Sequence, residues 1–202
     1  MPKLGVFVGS IRERSWSQKV ANVLSSMFPD NWDVKQIDIA SVPFYNQDWD
    51  DSDTDLPLPA AAQNLRDAVS GVDALLFVTP EYNRTVPAVL KNAIDVISRP
   101  SGSFIAAGKP AMVVSVSTGA IGGFGANHSL RQNLMFLNVP VMAQPELYLS
   151  SIHKAFGFDN SQQLGTVSDL EQDLETLDAG TKKFLRSAVD KFVDFAGRWI
   201  EA

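Results

Sequence analysis

The sequence predicts an α/β fold, one parallel sheet covered by helices on both faces. Three observations carry that reading. Short, almost wholly apolar runs recur along the chain, and they end in small or turn-forming residues. Between these runs the apolar period switches from strand-like to helical spacing. The resulting order is β then α, repeated five times, which implies a parallel sheet between helical layers. Right-handed crossovers then leave only a few doubly wound topologies.

Lys3–Val8 reads as the first buried strand, closed by Gly9-Ser10. Val20, Val23, Leu24 and Met27 then recur at helical spacing over 17–28, with Ser15 or Ser17 as the cap. Residues 33–39 read as a second strand. The acidic, proline-bearing stretch 44–59 reads as a surface loop, and its aspartates 48–55 as a solvated charge run. Ala60–Ser70 is predicted helical, with Ala61, Leu65 and Val69 on one face. A buried strand follows at 72–78, then a helix over 87–98 with Pro87 at its first position. Ala111–Val116 is the next buried strand. The glycine-rich loop 119–125 leads to a helix over 129–137, and 139–143 is the fifth strand. Residues 152–167 read as irregular, and a closing helix spans 181–200 with a stripe of Phe184, Ala188, Phe192, Phe195 and Trp199.

The 202 residues fit a single domain, 1–202, with room for a sizeable core. The net charge of −6 argues against a nucleic-acid partner, because an acidic chain repels phosphate backbones. There are no cysteines, which removes disulfides, thiol redox chemistry and thiolate metal sites. That is consistent with a reducing, cytoplasmic compartment. The first residues lack the pattern of a signal peptide, and no apolar run is long enough to span a bilayer, so no membrane role is expected.

Ligands of open α/β sheets bind at the carboxyl ends of the strands. Three loops leave those ends here. The first, 9–17, runs from strand to helix, so free amides and the helix dipole favour an anion there. Ser10, Ser15, Ser17 and Arg12 can add donors; equally, the serines can simply cap the helix while the arginines stay solvated. The loop carries neither the phosphate-loop pattern of nucleoside triphosphatases nor the dinucleotide fingerprint. The second, 79–87, holds Tyr82 and Asn83 between two prolines and could offer backbone and a flat ring to a planar ligand, or could be a plain connection with Tyr82 packed inward. The third, 117–123, contains glycines that permit close backbone approach, or merely a flexible turn. His128 and His153 lack ligand company, and no serine sits in a nucleophile elbow.

Gly9-Ser10-Ile11-Arg12 with Ser15, then Pro80-Glu81-Tyr82-Asn83 with Val86-Pro87 and Leu90-Lys91-Asn92-Ala93-Ile94-Asp95, together resemble the NADPH-dependent FMN reductase family. That family includes bacterial quinone and chromate reductases and azoreductases. Leu130-Arg131-Gln132 and Pro145-Glu146 are also similar, and the likeness runs over roughly residues 3–150. The resemblance implies a flavodoxin-like three-layer sandwich with a five-stranded parallel sheet in the order 2-1-3-4-5. It implies non-covalent FMN, NADPH or NADH as hydride donor, a small-molecule electron acceptor of quinone type, and a homodimer or homotetramer to which the 129–137 helix and the 46–58 loop contribute. By the same resemblance Ser10, Arg12, Ser15, Ser17 and Gln18 would cradle the FMN phosphate. Pro80, Glu81, Tyr82 and Asn83 would line the ring and ribityl chain, and Ser117, Thr118 and Gly119 the other side. Three positions depart from the family pattern: Ser17 replaces a frequent Asn, and Phe124-Gly125 replaces a small residue followed by Arg. The competing reading is a flavodoxin-like electron carrier without nicotinamide activity. Such carriers have a threonine-rich phosphate loop that 9–17 does not match.

Overall fold

Strand β1 (Lys3–Val8) pairs on one side with β2 (Asp33–Gln36) and on the other with β3 (Ala74–Pro80). The sheet continues through β4 (Ala111–Val116) to β5 (Leu147–Leu149), every pair parallel, in the order β2-β1-β3-β4-β5. The computed structural model describes residues 1–160 and 170–200. Successive strands are added toward one edge from β1 to β2 and toward the other from β3 onward, and this switch opens a crevice at the carboxyl ends of β1 and β3. Among the described residues no helix is long and apolar enough to cross a membrane.

The helices are α1 (Trp16–Ser26), α2 (Ala60–Ser70), α3 (Ala88–Ile97), α4 (Phe124–Phe136), α5 (Ile152–Ala155), α6 (Leu170–Thr176) and α7 (Ala179–Ile200). Alternate residues of each strand feed opposite cores. Leu4, Val6, Val8, Leu76 and Val78 pack with Val20, Val23 and Leu24 of α1 and Leu185, Val189 and Phe192 of α7. Phe7, Leu75 and Phe77 pack on the other face with Leu65 and Val69 of α2, Leu90 and Ile94 of α3 and Leu130 and Leu134 of α4. Phe7 and Phe77 are register partners, and their rings stack at 4.8 Å. Burying each such ring is worth roughly 3 kcal/mol, so this pair helps lock the register that aligns the strand ends.

Several expectations need correction. The fifth strand lies at Leu147–Leu149, not at 139–143. The earlier run does touch β4, since Ala111 donates to the Pro140 carbonyl at 2.8 Å and Met142 donates to Ala111 at 2.9 Å. That contact is only an isolated bridge through Val141, and Pro140 has no N–H with which to extend a ladder. Helix α4 begins at Phe124, five residues before the expected start, because the Glu81 carboxylate caps its first turn. Pro87 occupies the cap position before α3 and not its first turn. On α2 the buried positions are Ala62, Leu65, Arg66 and Val69, so Ala62 replaces Ala61 on the inner face. On α7 Phe184 and Trp199 are exposed, and the inward stripe is Leu185, Ala188, Val189, Phe192 and Ala196. Strand β2 is shorter than expected, although Ile37 still donates to the Val6 carbonyl at 2.9 Å. The expected irregular stretch 152–167 opens with the short helix α5, and its end lies outside the described residues.

The acidic stretch is not wholly solvated. Residues Gln47–Asp50 form a 3-10 turn, and Asp50 meets Arg66 through two bonds of 2.8 and 3.0 Å, both side chains 9% exposed. The bonds from Arg66, reinforced by the Tyr45 hydroxyl, hold the Asp50 carboxyl below its ordinary range against the opposing effect of burial.

Candidate functional site

Register places the ends of β1, β3 and β4 at one edge, with Val8 opposite Val78 and Val78 opposite Val114. The loops that follow converge around a cleft of about 250 Å³. Ser10, Arg12, Ser15 and Ser17 line it from the first loop, Pro80, Glu81 and Tyr82 from the second, and Ser117 and Thr118 from the third. Trp16 and Val116 complete the wall and were not foreseen. Of the remaining candidates, Asn83 and Gly119 lie outside the lining. So does Gln18, whose side chain exchanges hydrogen bonds with Gln36 at 2.7 and 3.1 Å and donates to Asn22 at 2.9 Å.

In the first loop Ser15 is the cap. Its backbone is extended (φ −100, ψ 128) and its hydroxyl accepts from the Gln18 amide at 3.3 Å. The amides of Trp16 and Ser17 in the first turn have no helical carbonyl to reach. No acidic residue occupies that turn, and among the described residues Arg12 makes no ion pair. Free amides, hydroxyls, the helix dipole and an unpaired guanidinium suit a phosphate monoester.

The second loop is a miniature hairpin. Tyr82 and Thr85 exchange both backbone hydrogen bonds at 3.1 Å, and the two residues between them have positive φ, 50° at Asn83 and 69° at Arg84. This is the mirror-image turn that suits a two-residue connection. It turns the Tyr82 ring outward, 49% exposed, so the ring is free for a ligand and is not a packing residue. The Glu81 carboxylate accepts from the Ala126 amide of α4 at 3.1 Å and meets Arg84 of its own loop at 3.3 Å. Gly123 precedes α4 and has no side chain to cap it. Glu81 supplies that cap from another loop, which is why α4 starts early.

The same contact accounts for Gly125. A Cβ there would stand 2.6 Å from the Arg84 carbonyl oxygen and 3.0 Å from Glu81. The first turn of α4 lies too close to the second loop for any larger residue. In the third loop the buried Ser115 hydroxyl donates to the Gly122 carbonyl at 2.7 Å. Gly122, at φ +59, has its would-be Cβ 2.7 Å from the Tyr148 carbonyl. Phe124 and His128 rings meet at 4.1 Å, and the Tyr148 hydroxyl lies 3.0 Å from His128. Burial and a hydrogen bond with Glu146 push the Tyr148 phenol above its usual range. The other histidine, His153, is buried. Among the described residues no group of acids and histidines could hold a metal ion.

A second concavity of about 570 Å³ adjoins the cleft across Ser10, Arg12 and Tyr82. It is lined by Ile11, Val42, Pro43, Phe44 and Val89. Asn92 of α3 fastens its outer wall, accepting from the Tyr45 amide at 2.8 Å and donating to the Pro43 carbonyl at 3.0 Å.

With this geometry in view, comparison with known proteins is direct. The family model for NADPH-dependent FMN reductase matches residues 2–154. A quinone reductase of Pseudomonas putida is 44% identical over 192 residues, covering 95% of this chain and 93% of that protein. A 2-hydroxy-1,4-benzoquinone reductase of a Burkholderia species is 35% identical, over 94% of this chain and 93% of its own length. Among solved structures, the NAD(P)H:(acceptor) oxidoreductase flavoenzyme FerB of Paracoccus denitrificans superimposes with a TM-score of 0.78 at 33% identity, over 100% of this chain and 98% of that one. The chain belongs to the NADPH-dependent FMN reductase family.

Proposed function

We infer that this protein is an FMN-dependent NAD(P)H oxidoreductase that passes reducing equivalents to a small quinone-type acceptor. One observation carries the reading. A single cleft joins an acid-free helix N-terminus, bearing Ser10, Arg12, Ser15 and Ser17, to two loops that contribute the exposed Tyr82 ring and Ser117 and Thr118. The first part suits a phosphate and the second a flat heterocycle, and FMN carries both. Bound FMN supplies hydride acceptance from a nicotinamide and donation to the acceptor.

The chain's residues bind and orient. Arg12 would offset the charge of the phosphate and the hydroxyls of Ser10 and Ser17 would donate hydrogen bonds to it, while Ser15 keeps the first turn of α1 closed. Tyr82, with the backbone of Pro80 and Glu81, forms one wall of the ring site. The Glu81 carboxylate is committed to α4, so it holds the wall in place and does not serve as a proton donor. The exposed side of the cleft admits donor and acceptor in turn. The enzyme works in the cytoplasm as a homodimer or homotetramer, with NADPH or NADH as donor.

The test is reconstitution of the apoprotein with FMN, followed by NADPH and NADH oxidation with a benzoquinone acceptor. Tight FMN binding and quinone-dependent oxidation are expected. Bound FMN without turnover by either nicotinamide would leave the electron-carrier reading in its place.

A further inference from the structure

Among the described residues none beyond β5 lines the cleft, yet that part of the chain grips the helix turn that does. Trp16 is the first residue of α1 and part of the cleft wall. Its outer face is covered from the C-terminal side, stacked on Phe156 at 5.8 Å and edge-on to Phe158 at 5.5 Å. One turn further along α1, the Lys19 ammonium lies 2.6 Å from the Asp173 carboxylate of α6, the two side chains 9% and 3% exposed. The same ammonium sits 5.8 Å from the centre of the Phe156 ring. Ring stack, cation and ion pair therefore form one cluster, and that cluster fixes the N-terminal turn of α1.

We propose that residues 152–160 and α6 form a strap that holds the first turn of α1 in its phosphate-binding geometry, with Lys19 and Asp173 as the positioning pair. This rests on the reading of the cleft as an FMN site. The cluster is built for placement more than for stability. The second Asp173 oxygen and the Trp16 indole N–H are buried with no hydrogen-bond partner among the described residues, so ring packing orients the indole. A buried ion pair adds little net stability, and removing one partner strands the other charge. Loss of Asp173 is relieved when Lys19 moves toward solvent, and Lys19 belongs to the helix whose amides face the phosphate. By linkage, phosphate binding and strap closure favour each other by the same factor.

At its start the strap also meets the third loop, where the Ile152 N–H donates to the Ser117 carbonyl at 3.1 Å, but Asp173 and Phe158 bear on α1 through Lys19 and Trp16, so their loss acts on the phosphate end. The coupling therefore predicts a change in the preference for FMN over riboflavin, which has the same ring system without the phosphate. Apoprotein is titrated with each flavin by fluorescence quenching, for wild type, Asp173→Asn, Phe158→Leu and, as a control on the opposite face of the sheet, Leu134→Ala. Thermal melts of each variant report folding. Asp173→Asn is expected to weaken FMN roughly ten-fold and riboflavin less than two-fold, with Phe158→Leu milder in the same sense. Leu134→Ala lowers the melting temperature and leaves the ratio of the two affinities unchanged. Equal weakening of both flavins, or none of either, in a folded Asp173→Asn and Phe158→Leu overturns the strap. A folded wild type that binds riboflavin and FMN equally, or neither, overturns the phosphate reading of the cleft and the strap with it.

Discussion

The loop after β1 has two unlike sides. Toward β4 it faces a polar cleft whose walls are strand-end loops cross-braced by Ser115, Glu81 and the close packing at Gly122 and Gly125. Toward β2 it faces an apolar groove whose wall is hung from the Asn92 amide and anchored lower down by Asp50 and Arg66. The polar side inherits its position from sheet register; the apolar side depends on a few side-chain bonds. Register is set by many contacts and a side-chain bond by one, so the two walls should fail differently.

The largest effect is expected from Gly122→Ala. A methyl there would enter the Tyr148 backbone at 2.7 Å, at a φ of +59 that L residues rarely adopt. The expected loss is about 3 kcal/mol of stability, seen as a melting temperature lower by roughly 6–12 °C, together with weaker FMN binding. Asn92→Ala attacks the other side. It leaves the Tyr45 amide and the Pro43 carbonyl unpaired, costing about 2 kcal/mol, while the FMN dissociation constant stays within about two-fold because no phosphate or ring contact is touched. If Asn92→Ala weakens FMN as much as Gly122→Ala does, the two sides are not independent. Arg12→Ala removes a donor without removing a support. FMN should bind roughly ten-fold less tightly, the deficit shrinking at high salt, with the melting temperature of the apoprotein unchanged.

The smallest effect is one of pH. The folded Asp50 carboxyl titrates below its ordinary value of 3.8 because Arg66 holds it ionised. Its contribution is full above that value and is lost as pH falls through the lower folded one. Acid melts should therefore steepen below pH 3.8 in the wild type and be flatter in Asp50→Asn. Equal slopes would mean that the pair does not hold the groove wall.

Strand count and the meeting of three loops were legible because apolar runs and helical periods are local signals; the sheet order, β2-β1-β3-β4-β5, was legible only through the family resemblance. The cap at Ser15, one of two serines in the right place, was a local signal as well. What escaped were partners distant in sequence. The early start of α4 depends on a carboxylate at Glu81, and no window around Gly123 contains it. The fate of Asp50 depends on Arg66, and composition alone makes Asp50 one more member of a charge run. Trp16 stood inside the first loop, yet nothing nearby announces that Phe156 and Phe158 will cover it. The fifth strand was misplaced because Val139 and Val141 have strand-like side chains, while Pro140 between them removes a ladder donor.

The parallel order of the sheet has a consequence for how the molecule comes to exist. Each of the three cleft loops reaches the others only after a long crossover has closed, so the pocket has no partial form early in folding. Added flavin is therefore expected to meet a finished sheet, to slow its unfolding and to leave the rate of folding unchanged.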